Sequence, residues 1–132
     1  MARTILGAST LFLLVVGVAS LFLPEVVARG FRMDGNVGAS QFQLLAGGAL
    51  GFAGVNWVGR GAIYGGIYGR PIVVGNLAHG LIVGFVMLRW QLNGLGAGLG
   101  WALAGGFLLY AAAFFVLLRW SPWRAGTEEG DP

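Results

Sequence analysis

Four long apolar stretches, at about 4–23, 41–58, 71–88 and 95–118, contain no acidic residue and no lysine. A helix needs roughly 20 mostly apolar residues to cross the hydrocarbon core of a bilayer. In lipid only helices and closed barrels satisfy all of their backbone polar groups. Runs of this length predict an all-α fold, a four-helix transmembrane bundle that fills a single membrane domain over residues 1–132.

The composition agrees. Only 10% of the 132 residues are charged, against about 25% in a soluble domain, and the mean hydropathy is +0.78. Four spans leave no room for a separate soluble catalytic domain. All eight basic residues are arginines, giving a net charge of +3. They sit at the ends of apolar runs, which fits membrane anchoring and argues against a nucleic-acid partner. The chain has no cysteine, which excludes disulfides, iron–sulfur clusters and thiolate metal sites.

Arg3 followed by an apolar run to Val18 and then Ala19-Ser20 has the look of a secretory signal; the segment is taken as the first span. Pro24-Glu25 should stop it, since proline removes a backbone donor and a carboxylate is costly in hydrocarbon. Residues 24–40 then read as an interfacial loop with Arg29, Arg32 and Asp34, with room for one amphipathic turn around Val26, Val27 and Phe31. Ser40 and Gln43 have the spacing of a capping box and predict the start of span two. Trp57 with Arg60, Arg89 with Trp90, and Arg119 with Trp120 close spans two, three and four as interfacial anchors. Tyr64 and Tyr68, four residues apart, would put two rings on one side at headgroup depth. Pro71 suits a helix start, and Asn93-Gly94 marks a tight turn. The acidic tail, 125–132, lacks apolar content and should not fold alone. With four spans, Arg3, Arg60, Arg70, Arg119 and Arg124 share one side, and Arg29, Arg32 and Arg89 the other. The excess predicts cytoplasmic termini.

Glycine occurs 25 times. In a bilayer it lets helix backbones approach closely. Gly47, Gly51 and Gly54 form a stripe on span two, Gly80 and Gly84 on span three, and Gly96 and Gly100 at the start of span four. All seven are expected to pack helices, within the monomer or against another subunit. Asn56, Asn76 and His79 are the few polar residues at depth. Asn76 and His79 share a face and could hydrogen-bond a neighbouring helix or line a ligand cavity. Asn56 lies roughly opposite the Gly47/Gly51 stripe, beside Trp57, and could reach headgroup water.

His79 is the only histidine, so a bis-histidine haem or a zinc site lacks ligands. A chlorophyll-type pigment needs one axial histidine with a small residue a turn earlier, where Gly75 stands; otherwise no cofactor is indicated. No P-loop, dinucleotide fingerprint or HExxH motif occurs, and no nucleophile, base and acid come together, so catalysis is not expected. An exporter of the small multidrug type would need a glutamate inside span one, which has none.

Phe22-Leu23-Pro24-Glu25, Asn56-Trp57 with Arg60, and Gly75-Asn76 with His79 together give the chain a layout that resembles bacterial four-span membrane proteins of the DoxX-like and related unknown-function kinds. The resemblance implies a bacterial cytoplasmic (inner) membrane protein and transfers no activity or site residue. The expectation is a small non-catalytic accessory or structural subunit of a larger membrane complex. Its partners would be membrane lipids and other membrane subunits or a second copy. The alternative is a binding or transport protein that holds a lipid, quinone or pigment between its helices.

Overall fold

The computed structural model describes residues 1–33, 35–61, 69–95 and 98–120. Every element among them is helical: α1 (Ala2–Phe22), α2 (Pro24–Arg29), α3 (Gly35–Gly59), α4 (Gly69–Trp90), a π turn (Gln91–Leu95) and α5 (Gly98–Trp120). The expectations for Tyr64, Tyr68, Gly96 and the tail 125–132 lie outside the described residues.

Three helical stretches are long and apolar enough to cross a membrane: Ala2–Phe22, Gly69–Gly94 and Gly98–Arg119. This makes the chain an all-helical protein of membrane-protein character. α3 has the length, at 25 residues, but its glycines, Gln41, Gln43 and Asn56 dilute its hydropathy.

α1 packs along α3, and α4 packs along α5. Lighter contacts join α3 to α4 and α1 to α5, closing the four long helices into a ring. The interior mixes apolar with small and polar side chains, while large apolar ones also cover the outside. On α1 the inner face is Leu6, Ser9, Thr10, Leu13, Val16, Gly17 and Ser20, while Leu11, Val15 and Phe22 are exposed. Lipid is as apolar as leucine, so tight helix packing depends on small and hydrogen-bonding residues inside.

The stretch between α1 and α3 holds the short helix α2 where the sequence allowed a single amphipathic turn, and the loop beyond it is shorter than expected. Pro24 occupies the first position of α2, where its missing N–H would have had no partner anyway. α3 begins at Gly35, six residues ahead of the expected start at 41. Ser40 is not an N-cap: its hydroxyl donates to the Asn36 carbonyl at 2.7 Å, the back-bonding mode of a helix interior. The reversal is made at Arg32 (φ 53°) and Gly35 (φ 88°). Phe31 is fully buried; its ring lies tilted against Phe42 at 5.0 Å and edge-on to Trp90 at 5.9 Å. The α2 segment thus plugs that end of the bundle.

The other reversal on this side is the π turn, where Gly94 sits at φ 83°. Nothing lies within 4 Å of a Cβ placed there, so the cost of Gly94→Ala is conformational only. We expect about 1–2 kcal/mol from the left-handed conformation, seen as a lower thermal midpoint in detergent, with Gly94→Asn losing less.

Candidate functional site

The polar groups inside the ring form one network that ties the four long helices together. Asn56 of α3 and Asn76 of α4 face each other as a reciprocal amide pair. Asn56 Nδ2 donates to Asn76 Oδ1 at 2.8 Å, and Asn76 Nδ2 returns a bond to Asn56 Oδ1 at 2.7 Å. Asn56 Nδ2 also donates to Ser9 Oγ of α1 at 3.1 Å, and the Tyr110 hydroxyl of α5 donates to Asn76 Oδ1. The remaining donors turn back to backbone: Asn76 Nδ2 to the Ile72 carbonyl at 2.7 Å and the Ser9 hydroxyl to the Leu6 carbonyl at 2.9 Å. Both asparagines are fully buried.

This corrects the expectation for Asn56, which reaches no headgroup water. α3 presents Ala46, Ala49, Ala53 and Asn56 inward, so the face with Asn56 is the buried one. Asn76 does bond across helices, as its position suggested. Ser9 and Tyr110 were not singled out in the sequence. The signal was there: Ser9-Thr10 breaks an apolar run, and Tyr110 is the one tyrosine inside a span. Chemically the network is a clamp. Its amides take up no proton near neutral pH, and Ser9 has no base within it to activate a nucleophile.

His79 stands one turn from Asn76 but outside the network. Its ring stacks on Phe52 at 4.6 Å and meets the edge of Phe107 at 5.9 Å. Its Nε2 is buried without a hydrogen-bond partner. Phe52 lies against Gly75, 3.3 Å from where a Cβ would stand, and so fills the space the pigment reading assigned to a ring. No group of three metal-ligating His, Cys, Asp or Glu residues occurs among the described residues.

The glycines divide sharply. At Gly80 an added Cβ would meet the Tyr110 ring at 2.6 Å, and at Gly84 the Leu108 side chain at 2.9 Å. These two seat α4 against α5 as expected. Gly100 faces the Gln91 side chain of the π turn rather than another span. Gly47, Gly51 and Gly54 have nothing within 4 Å and lie exposed on the outer face of α3. Within the chain their packing role is therefore corrected: alanines provide the close approach on the inner side. Gly17 against Leu50, Gly59 against Ile72 and Gly106 against Phe12 are the internal contacts the sequence did not single out.

The anchor residues follow the ends of the helices. The Arg60 guanidinium lies 3.2 Å over the half-exposed Trp57 ring, a cation–π pair. Arg89 and Arg119 are exposed. Trp90 turns inward to Phe31 and Phe42, so it packs the plugged end of the bundle. Because neighbouring helices run antiparallel, Arg3, Arg60, Arg70 and Arg119 gather at one end and Arg29, Arg32 and Arg89 at the other.

An apolar groove of about 280 Å³ opens between α1 and α5, lined by Ile5, Ala8, Phe12, Leu109, Ala113 and Phe114, with Ser9 and Tyr110 at its polar edge. No family model, curated protein or solved structure matches the chain.

Proposed function

We propose that this protein is a non-catalytic accessory or structural subunit of a larger assembly in the bacterial cytoplasmic membrane. The reading rests chiefly on the outer face of α3. Gly47, Gly51 and Gly54 line up there with no partner among the described residues, flanked by exposed Gln43. A lipid-facing helix gains nothing from glycine, whereas a partner helix packs closely on it. In this reading α3 is the fourth span, made tolerable in hydrocarbon by that partner. Both termini are then cytoplasmic, on the side with the larger share of arginine.

The test follows from the emptiness of that face. Gly51 is exposed and a Cβ added there meets nothing within 4 Å among the described residues, so Gly51→Leu should not lower the thermal midpoint of the isolated protein. It should strip co-purifying subunits, or the second copy, from a gentle detergent extract. A wild-type extract in which the protein migrates as a lone monomer would end this proposal.

A second reading is favoured by the buried Nε2 of His79, which has no hydrogen-bond partner among the described residues: a lipid or quinone held against it between helices. Absorbance and mass spectrometry of the native extract, compared with His79→Ala, decide it. Loss of a bound species in the variant supports it, and an identical small-molecule complement removes it.

A further inference from the structure

We infer that the chain is two copies of one helical hairpin, α1–α3 and α4–α5, related by a pseudo-two-fold axis running along the bundle. Moving 67 positions (17 to 84) carries buried Leu6, Ser9, Leu13, Gly17 and Ser20 of α1 onto buried Val73, Asn76, Gly80, Gly84 and Met87 of α4. Moving 58 positions (46 to 104) carries buried Phe42, Ala46, Ala49, Ala53 and Asn56 of α3 onto buried Gly100, Ala104, Phe107, Ala111 and Phe114 of α5.

Burial alone recurs with every helical turn and would match at several shifts, so contacts must fix the register. Within the hairpins, Gly17 meets Leu50 and Gly84 meets Leu108, and both shifts map one pair onto the other. Between the hairpins, Phe12 lies on Gly106, and the counterpart pair is His79 on Gly48. Phe12 tilts on Tyr110 at 6.0 Å and 36°, and His79 stacks on Phe52 at 4.6 Å and 29°; these pairs too are counterparts. The sequence keeps a trace in Leu45-Ala46-Gly47-Gly48, repeated unchanged as Leu103-Ala104-Gly105-Gly106. The shifts differ because the first hairpin is nine residues longer between its helices, where α2 is inserted. The lighter contacts at α3–α4 and α1–α5 are then two copies of one seam.

The consequence concerns the site. The α1–α5 groove and the His79 position are counterparts, with Ile5 matching Ile72, Ser9 matching Asn76 and Phe12 matching His79. Ser9 and Phe12 on one seam, against Asn76 and His79 on the other, are among the matched positions at which the two halves differ, and they leave the α3–α4 seam with the amide pair and the imidazole. The α3–α4 seam is thereby the specialised one.

The absence of cysteine allows a direct test in the full-length protein in native membranes. Phe12→Cys with Gly106→Cys, and His79→Cys with Gly48→Cys, should both be bridged by a short bifunctional thiol reagent, and to similar extents, because it is the far edges of the Phe12 and His79 rings that reach the two glycines. Moving the second cysteine one residue, to 105 or to 47, should reduce both yields several-fold. Closure of one pair alone, a best register that differs between the seams, or failure of both pairs overturns the inference. The exchange F12H with H79F gives a second readout, with expected retention of the helical, monodisperse protein. Loss of folding in the exchange, when His79→Phe alone folds normally, also overturns it.

Discussion

Asn76→Leu should be the most damaging single polar substitution in the chain. It removes both halves of the amide pair with Asn56 and the acceptor of the Tyr110 hydroxyl. Interhelical hydrogen bonds in membranes average about 0.6 kcal/mol and reach roughly 1.7. The larger contribution is the Asn56 amide left behind: fully buried, it keeps only the bond to Ser9. An unsatisfied buried group costs about 1–3 kcal/mol, which brings the expected total to roughly 2–4 kcal/mol. Reversible unfolding from mild into denaturing detergent measures it. The diagnostic is the double variant Asn56→Leu with Asn76→Leu. Replacing both partners by apolar groups removes the orphaned amide, so the double should cost less than the sum of the singles by about 1–2 kcal/mol. Strict additivity would show that the two amides do not face each other.

How much of this was legible can be judged residue by residue. The long helices were plain because run length and the lack of charge are imposed by the solvent and owe little to packing. Asn76 was visible as a polar residue at depth on a face with Gly80. Asn56 was misjudged because glycine was taken as the marker of the buried face of α3. Two small-residue stripes run along that helix: alanine at 46, 49 and 53, and glycine at 47, 51 and 54. Both have helical spacing, and only the neighbours decide which one turns inward. Pro24 was rightly taken to end span one, but its second role was not seen. A proline can stop one helix or begin the next, and here Leu23 ends α1 while Pro24 opens α2. The capping box at Ser40 and Gln43 had correct spacing, but the chain had already entered the helix at Gly35. The duplication was the least legible feature, since four identical residues in a row become evidence only once contacts show that they occupy matching places.

Gly80→Leu should be the most damaging glycine substitution, and for a reason separate from backbone freedom. A Cβ on residue 80 would stand 2.6 Å from the Tyr110 ring and 3.1 Å from the Ala111 Cβ. The ring cannot simply swing aside, because its hydroxyl is committed to Asn76 and its face rests on Phe114 at 4.9 Å. Overpacking of this kind costs about 1–3 kcal/mol, and displacing the hydroxyl adds up to about 1.7 kcal/mol from the lost interhelical bond. The expected loss is therefore roughly 2–4 kcal/mol, comparable with Asn76→Leu and partly the same energy. Gly80→Ala should show the same sign at smaller size. Combining it with Tyr110→Ala should cost less than the two changes added, because the obstacle has gone. Gly54→Leu is the control: it adds more volume than Gly80→Ala, but residue 54 is exposed and a Cβ there meets nothing within 4 Å among the described residues, so its midpoint should not fall below the wild-type value. Equal losses for Gly80→Leu and Gly54→Leu would mean that the seat between α4 and α5 has been misplaced.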